Sequence, residues 1–544
     1  MKFSDKVVYQ IYPKSFKDST GDGFGDIRGI ISKLDYIKSL GVDYIWATPF
    51  FVSPMKDNGY DISNYFEINP QFGTMADVDE LISEAKKRGL SLMFDMVLCH
   101  TSDQHEWFQR ALNGEEKYQK FYIFRDAKAD GSAPTNWQCA FGGSAWEYVP
   151  KLKKYYLHLH DVSQPDLDWT NPEVRAELAN VVKFWKNRGV EGFRFDVINL
   201  ISKPEIFEDD TEGLGRKLFA DGPHVHEYLQ ELVKNSGIDG MITVGEMAST
   251  DLKNCLLYTN PDAHELSMAF SFHHLKVDYK NGDKWSLMDA DIAELKKIFE
   301  EWQVGMAKNN GWNAVFWCNH DQPRAISRFC DDKKYWKESA KMLAATVHLM
   351  RGTPYIYQGE EIGMTNAKFN SIEQYRDVES LNYYKILLES GKTSYEALKI
   401  LGERSRDNSR TPMQWSAKKF AGFSEVEPWI NSPENYKKIN VEAEEKDSDS
   451  ILNFYRQLVK FRKENKIVQD GDIKFIEREN NNVVAYVRTL GEKELIVICN
   501  FKGEEISLQE KTLQDYLTDY KKILGNYDDV EKNLRPYEVI VFEK

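Results

Sequence analysis

Several features of secreted, membrane-spanning and nucleic-acid-binding proteins are scarce or missing in this 544-residue chain. Its cysteines, Cys99, Cys139, Cys255, Cys318, Cys330 and Cys499, show no paired spacing, so no disulfide framework or zinc motif is expected. No apolar run is long enough to cross a bilayer, so no membrane partner is expected. The opening Met1-Lys2-Phe3-Ser4-Asp5-Lys6 lacks the apolar stretch of a secretory signal, and a cytoplasmic location is the expectation. Positive charge is short as well. Lys plus Arg number 71 against 86 Asp plus Glu, a net charge of −15, which argues against a nucleic-acid partner because phosphate binding needs a positive field.

Aromatic residues are plentiful, at 13% of a chain that is 42% hydrophobic. That is enough for a large core with one or two satellites. Most of the 13 Trp and 28 Tyr belong in that core, but a surplus of aromatic faces suits a sugar or an apolar ligand.

Along the chain, short apolar strands alternate with amphipathic helices. The strands are Val7 to Tyr12, Val42 to Pro49, Ser91 to Val97, Gly192 to Val197, Met241 to Glu246, Leu266 to Phe270, Ala314 to Asp321 and Pro354 to Glu360. Helical patterns run from Ile27 to Leu40 and from Ala76 to Arg88. Continuous apolar strands spaced by helices imply parallel strands buried on both faces, and about eight of them predict an α/β fold, a (β/α)₈ TIM barrel. The rhythm breaks over 101–171, which reads as an inserted subdomain after the third strand. From 466 the runs become short and β-rich, predicting a C-terminal antiparallel β domain, β-sandwich-like, over 466–544. The barrel is thus assigned to 1–100 and 172–465.

Charged residues recur at the strand ends. Arg194 and Asp196 share one face of the strand Gly192-Phe193-Arg194-Phe195-Asp196-Val197, and taken alone they read equally well as a structural ion pair. Asp95 and His100, Glu246, and His320 and Asp321 occupy equivalent positions, however, and in a parallel barrel the C-terminal strand ends carry the active site. Converging acids repel one another, an arrangement that is costly unless the chemistry needs it. Paired carboxylates among aromatics suggest glycoside hydrolysis, one attacking the anomeric carbon and the other protonating the leaving oxygen. On this reading Arg194 keeps Asp196 ionised, and Glu246, on an apolar strand, suits a raised pKa and proton donation.

At these residues the sequence resembles the α-amylase family of glycoside hydrolases over nearly its whole length. The matching motifs are Asp95 to His100, Gly192 to Asp196, Gly245-Glu246 and Asn319-His320-Asp321. The resemblance implies a retaining enzyme with Asp196 as nucleophile, Glu246 as acid/base and Asp321 as transition-state stabiliser. It also implies that Asp57, Tyr60, His100, Arg194, His320 and Arg410 hold the non-reducing glucose, with Phe141 and Gln164 as further substrate-binding residues. Two positions depart from the family pattern: Cys99 stands where Asn is usual, and His160 where related glucosidases carry Phe. No organic cofactor is implied. The loop from Asp18 to Asp26 alternates oxygen side chains with glycine, like the first part of a calcium loop, and a solvated acidic turn is the alternative on pattern alone. By the resemblance, Asp18, Thr20, Asp22, the Phe24 carbonyl and Asp26 would hold structural Ca²⁺ or Mg²⁺.

Within the family, Val197 resembles the α-1,6-cleaving branch. The string from Phe272 to Trp285, with Val244 to Thr250, is similar to the branch that hydrolyses trehalose 6-phosphate, a small phosphorylated disaccharide. Its basic residues His274, Lys276, Lys280 and Lys284 are the expected phosphate ligands, against the alternative of a solvated charged loop. No obligatory protein partner is expected. An oligo-1,6-glucosidase is the competing enzyme reading. A non-catalytic transporter-associated relative would lack triad residues and carry a membrane span, whereas this chain keeps Asp196, Glu246 and Asp321.

Overall fold

The computed structural model describes residues 3–211 and 214–544. Eight parallel strands form the barrel: β1 (Val8–Ile11), β2 (Tyr44–Ala47), β3 (Ser91–Val97), β4 (Gly192–Asp196), β5 (Ile242–Glu246), β6 (Met268–Phe270), β7 (Asn313–Val315) and β8 (Thr353–Tyr357). They are hydrogen-bonded in the closed order β1-β8-β7-β6-β5-β4-β3-β2. Their near-continuous burial explains why each reads as an apolar run rather than an alternation. The chain divides into two compact units. The first, Trp46–Ser271 with Asp377–Ser390, holds β3 to β6; the second, which runs up to Ile45 and adds Phe272–Arg376 and Gly391–Lys544, holds β1, β7 and β8.

Local chemistry sets where the helices begin and end. Helix Met75–Lys87 starts at a capping box in which Thr74 accepts from the Asp77 amide and Asp77 accepts from the Thr74 amide. Helix Pro172–Arg188 has Asn171 as its cap, proline in its first turn, and Gly189 at φ 110° to end it. The pattern from Ile27 to Leu40 is two helices, Ile27–Ile31 and Leu34–Ser39, not one. At the break the Ser32 hydroxyl donates to the Gly29 carbonyl at 2.7 Å, competing with the helical ladder. The expected seventh strand is also shorter, ending at Val315, and beyond it the Asn319 side chain accepts from the Asp321 amide at 2.8 Å in a turn.

Residues 101–171 carry a three-stranded antiparallel sheet in the order Phe124–Arg125, Lys154–Leu157, Trp146–Val149. The tail forms β9 (Asp472–Ile476), β10 (Val483–Leu490), β11 (Lys493–Asn500), β12 (Lys521–Gly525) and β13 (Val539–Glu543), in the order β9-β10-β11-β13-β12. This is one five-stranded sheet, not the sandwich-like pair expected. Helix Leu513–Asp519 takes the place of a second sheet: Leu513 and Tyr516 join Val483, Ala485, Ile496, Ile498, Ile540 and Phe542 in one buried cluster. Among the described residues no helix is long and apolar enough to cross a membrane.

Candidate active site

In the first unit the ends of β3, β4 and β5 meet at one guanidinium. Arg194, 1% exposed, donates to Asp95 Oδ1 at 2.6 Å and to Asp196 Oδ1 at 2.8 Å, and its other terminal nitrogen contacts Glu246. The strand registers place them there, since Asp95 pairs with Arg194 across β3 and β4, and Val244 pairs with Arg194 across β4 and β5. One cation thus serves three carboxylates. Asp95 is fully buried and also accepts from Trp46 Nε1 at 3.1 Å and the Tyr60 hydroxyl at 2.9 Å. Burial pushes its carboxyl up to about 7, with Arg194 pulling the other way and Asp196 adding to the rise. Asp95 is therefore a buried prop for Arg194. Asp196 and Glu246 keep some exposure, 10% and 14% of their side chains, as groups that meet a ligand must.

Beside this pair the residues expected to bind substrate form a connected set. Gln164 Nε2 donates to Asp57 Oδ2 at 3.1 Å and lies 3.2 Å from His100 Nε2, which is 3.1 Å from the Tyr60 carbonyl. His160 fills the space between His100 and Phe141, its ring 5.0 Å from the first and 5.9 Å from the second. Cys99 faces the other way, toward Asp166 Oδ1 at 3.6 Å and Lys203 Nζ at 3.7 Å. Cys99, His100 and Asp166 bring sulfur, nitrogen and oxygen within metal-ligand reach, but the lysine already supplies the cluster's positive charge.

The second unit inverts this stoichiometry. Asp321 Oδ1 accepts from Arg410 at 2.7 Å and Arg406 at 3.2 Å, and its other oxygen lies 3.2 Å from His320 Nε2. Gln10 Nε2 donates to His320 Nδ1 at 2.9 Å, which assigns the imidazole proton to Nε2, facing Asp321. Tyr12 stacks on the same ring, and Arg410 Nε donates to the His320 carbonyl. Gln10 and Arg406 are absent from the sequence reading. Gln10 left a trace, as the one amide within the apolar run Val7 to Tyr12.

After β6 comes the loop with the basic residues. His274 is corrected: it is buried, its ring packs on Phe299, Phe316 and Trp317, and its Nε2 donates to the Phe316 carbonyl at 2.8 Å. Packing and that hydrogen bond hold the ring in the core. Lys276 and Lys280 are exposed, and Lys284 is half-buried with its ammonium 4.9 Å from the Trp285 ring centre. Asp278 anchors the loop between Arg328, at 2.7 Å, and Arg404.

In the loop 18–26, Asp18 accepts from the amides of Thr20, Gly21 and Gly23 and from the Ser424 hydroxyl. Burial raises its carboxyl, but those hydrogen bonds outweigh burial and hold it below its ordinary value. Asp26 accepts from Ser19 and caps the helix at Gly29. The donor set is all oxygen, the chemistry of a hard cation site.

The family profile described as alpha amylase, catalytic domain, matches residues 10–471. The chain belongs to the α-amylase family. It is a glycoside hydrolase of that family. It is 50% identical to the trehalose-6-phosphate hydrolase of Bacillus subtilis, over 98% of this chain and 97% of that one. It is 46% identical to the oligo-1,6-glucosidase of Bacillus cereus, over 99% of each. The crystal structure of Bacillus licheniformis trehalose-6-phosphate hydrolase is similar at a TM-score of 0.94 and 51% identity, covering 99% of both chains. The family's barrel thus coincides with the one read from the alternation of strands and helices.

Proposed function

We propose that the protein hydrolyses trehalose 6-phosphate to glucose and glucose 6-phosphate with retention of configuration. The observation that carries this reading is the basic, solvent-facing loop of Lys276, Lys280 and Lys284 in a chain of net charge −15, following a strand next to the one that ends in Glu246. The relatives named for this activity add support across nearly the whole chain.

In the proposed cycle the Asp196 carboxylate attacks the anomeric carbon while Glu246 gives its proton to the departing oxygen, releasing glucose 6-phosphate. Glu246, now a carboxylate, takes a proton from water as that water attacks the glucosyl-aspartate, freeing glucose and restoring both groups. Arg194 sits between the two carboxyls and balances the charge that passes between them. In the first unit Asp57, Gln164, His100 and Tyr60 are assigned to sugar hydroxyls, and in the second Asp321, His320 and Arg410 are polar groups of the same kind. The lysines pair with the 6-phosphate, an interaction worth roughly 1–3 kcal/mol and so a matter of preference rather than chemistry.

The test compares trehalose 6-phosphate, trehalose and isomaltose. The phosphorylated sugar is expected to lead by at least about tenfold in kcat/KM. A lead for isomaltose would make the protein an oligo-1,6-glucosidase. Lys276→Ala and Lys284→Ala are expected to raise KM for the phosphorylated sugar about five- to twentyfold and to spare an uncharged aryl glucoside. Equal damage to both substrates would sink the phosphate assignment.

We also propose that Asp18, Thr20, Asp22, the Phe24 carbonyl and Asp26 hold Ca²⁺ or Mg²⁺ as a structural ion, on the strength of their all-oxygen donors. Chelation should then lower Tm, and adding Ca²⁺ back should restore it; a Tm indifferent to both refutes the ion. The free cysteines are compatible with a reducing compartment, and we assign the protein to the cytoplasm.

A further inference from the structure

The β4–β5 ladder stops one residue short of the two carboxylates. Its last pair is Phe195 with Gly245; Asp196 and Glu246 come next in each strand and are not paired with each other, although Asp196 pairs with Val97 of β3 and Glu246 with Phe270 of β6. Past Asp196 the chain turns sharply, with Val197 in the left-handed region at φ 35° and ψ 41°. That is an unfavourable conformation for a β-branched residue and needs support from its surroundings. Past Glu246 the chain turns too, with Ser249 at φ 51°. The direct ladder between their two strands therefore ends just before the two groups whose separation governs a retaining mechanism, about 5–5.5 Å between carboxyls, and each is held from its far side only, by β3 and β6.

One side chain takes over where the ladder ends. Asn199, with no exposed surface, donates from Nδ2 to the Ala248 carbonyl at 2.7 Å and accepts at Oδ1 from the Ala248 amide at 2.9 Å. This two-point grip imitates one more rung of the sheet, joining the third residue after Asp196 to the second after Glu246. The other Nδ2 hydrogen goes to Asp221 Oδ1 at 3.0 Å, so the amide cannot flip without placing its oxygen against a carboxylate. Asp221 is held by the Tyr258 hydroxyl at 2.6 Å and Asn254 Nδ2 at 2.9 Å, and its own amide donates to the Asn199 carbonyl at 2.9 Å.

We infer that Asn199 is a positioning residue for the reaction, a clip that sets the distance between Asp196 and Glu246 and aims the Glu246 proton at the leaving oxygen. The inference rests on the proposed roles of those two carboxyls. A misplacement of about 1 Å costs on the order of 10²-fold in rate, which is the effect expected when the clip is cut.

The experiment uses the full-length enzyme and two aryl α-glucosides, phenyl, which needs a proton on departure, and dinitrophenyl, which does not. Asn199→Ala should lower kcat/KM about 100-fold for the first and less than about tenfold for the second, and should shift the basic limb of the pH profile for the phenyl substrate only. Tyr258→Phe, which loosens Asp221 and leaves the grip on Ala248 in place, should show the same selectivity at about three- to tenfold, and it serves if Asn199→Ala does not fold. Equal losses on the two glucosides, or no loss, would refute the positioning role. Glu246→Gln and Asp196→Asn test the carboxyl roles separately: the first should spare the dinitrophenyl substrate in the glycosylation step and the second should spare neither. If they fail those expectations the assignment of the pair falls, whatever Asn199 does.

Discussion

Two neighbourhoods at the barrel's strand ends are built from the same parts in opposite proportion. In the first unit a single arginine, Arg194, serves Asp95, Asp196 and Glu246; in the second, Arg406 and Arg410 serve a single Asp321. Counted as full charges, the first group is one cation against three acids and the second two cations against one. The difference matches the work proposed for each. A nucleophile and a proton donor must change charge during the cycle, and an excess of carboxylates around one cation keeps those changes cheap. A group that only holds sugar hydroxyls gains nothing from changing charge, and two guanidiniums fix its charge and its orientation.

Breaking the first group has the largest expected effect. Arg194→Met would leave Asp95 buried without its cation, and removing one partner of a buried pair costs about 3–5 kcal/mol. Unfolding of that variant should begin well below the wild-type temperature, and kcat should fall at least about 10³-fold because both working carboxyls lose their common partner. A variant that kept its Tm and lost only activity would show that Arg194 is dispensable to the fold and the comparison wrong on that side. In the second group Arg410→Lys keeps the charge but loses the planar fork that reaches Asp321 and the His320 carbonyl together. About a 10- to 100-fold drop in kcat/KM is expected with a Tm within a few degrees of wild type. If Lys restored full activity, charge alone would explain the site and the geometry of the fork would not matter.

How much of this could be read from the sequence depends on the range of the interaction. Strands such as Ser91–Val97 and Gly192–Asp196 were legible because burial on both faces leaves an unbroken apolar run, and Asp196 and Glu246 stood out as charges at the ends of such runs. The inserted sheet's position was legible as a break in that rhythm. Contacts between distant positions left weaker traces. His274 reads as part of a basic loop among lysines, and only the fold brings Phe299, Phe316 and Trp317 around its ring. Asp95 reads as one more active-site acid, and only the fold buries it under Trp46 and Tyr60. The tail's short β-rich runs predicted a sandwich-like domain, and only the fold shows helix Leu513–Asp519 packing on the five-stranded sheet.

The smallest effect, and the sharpest use of the comparison, lies in how each unit's stability depends on pH. Burial raises Asp95 from an ordinary 3.8 to about 7, so the folded state binds a proton there that the unfolded chain has lost. Its contribution to stability is therefore full below about pH 3.8, is lost as pH rises toward 7, and is level beyond. Asp278 in the second unit goes the other way. Burial opposes its charge, but Arg328 and Arg404 outweigh burial and lower it, so its contribution is present above pH 3.8 and is lost as pH falls below that value. Asp95→Asn and Asp278→Asn remove one titration each. Calorimetric Tm values taken from pH 3 to pH 8, roughly the span of the two titrations, should show the first variant gaining on wild type between about pH 4 and pH 7. The second should trail at neutral pH and close the gap in acid. Two parallel profiles would mean that neither carboxyl differs in pKa between folded and unfolded states, and the electrostatic contrast between the two units would lose its thermodynamic basis.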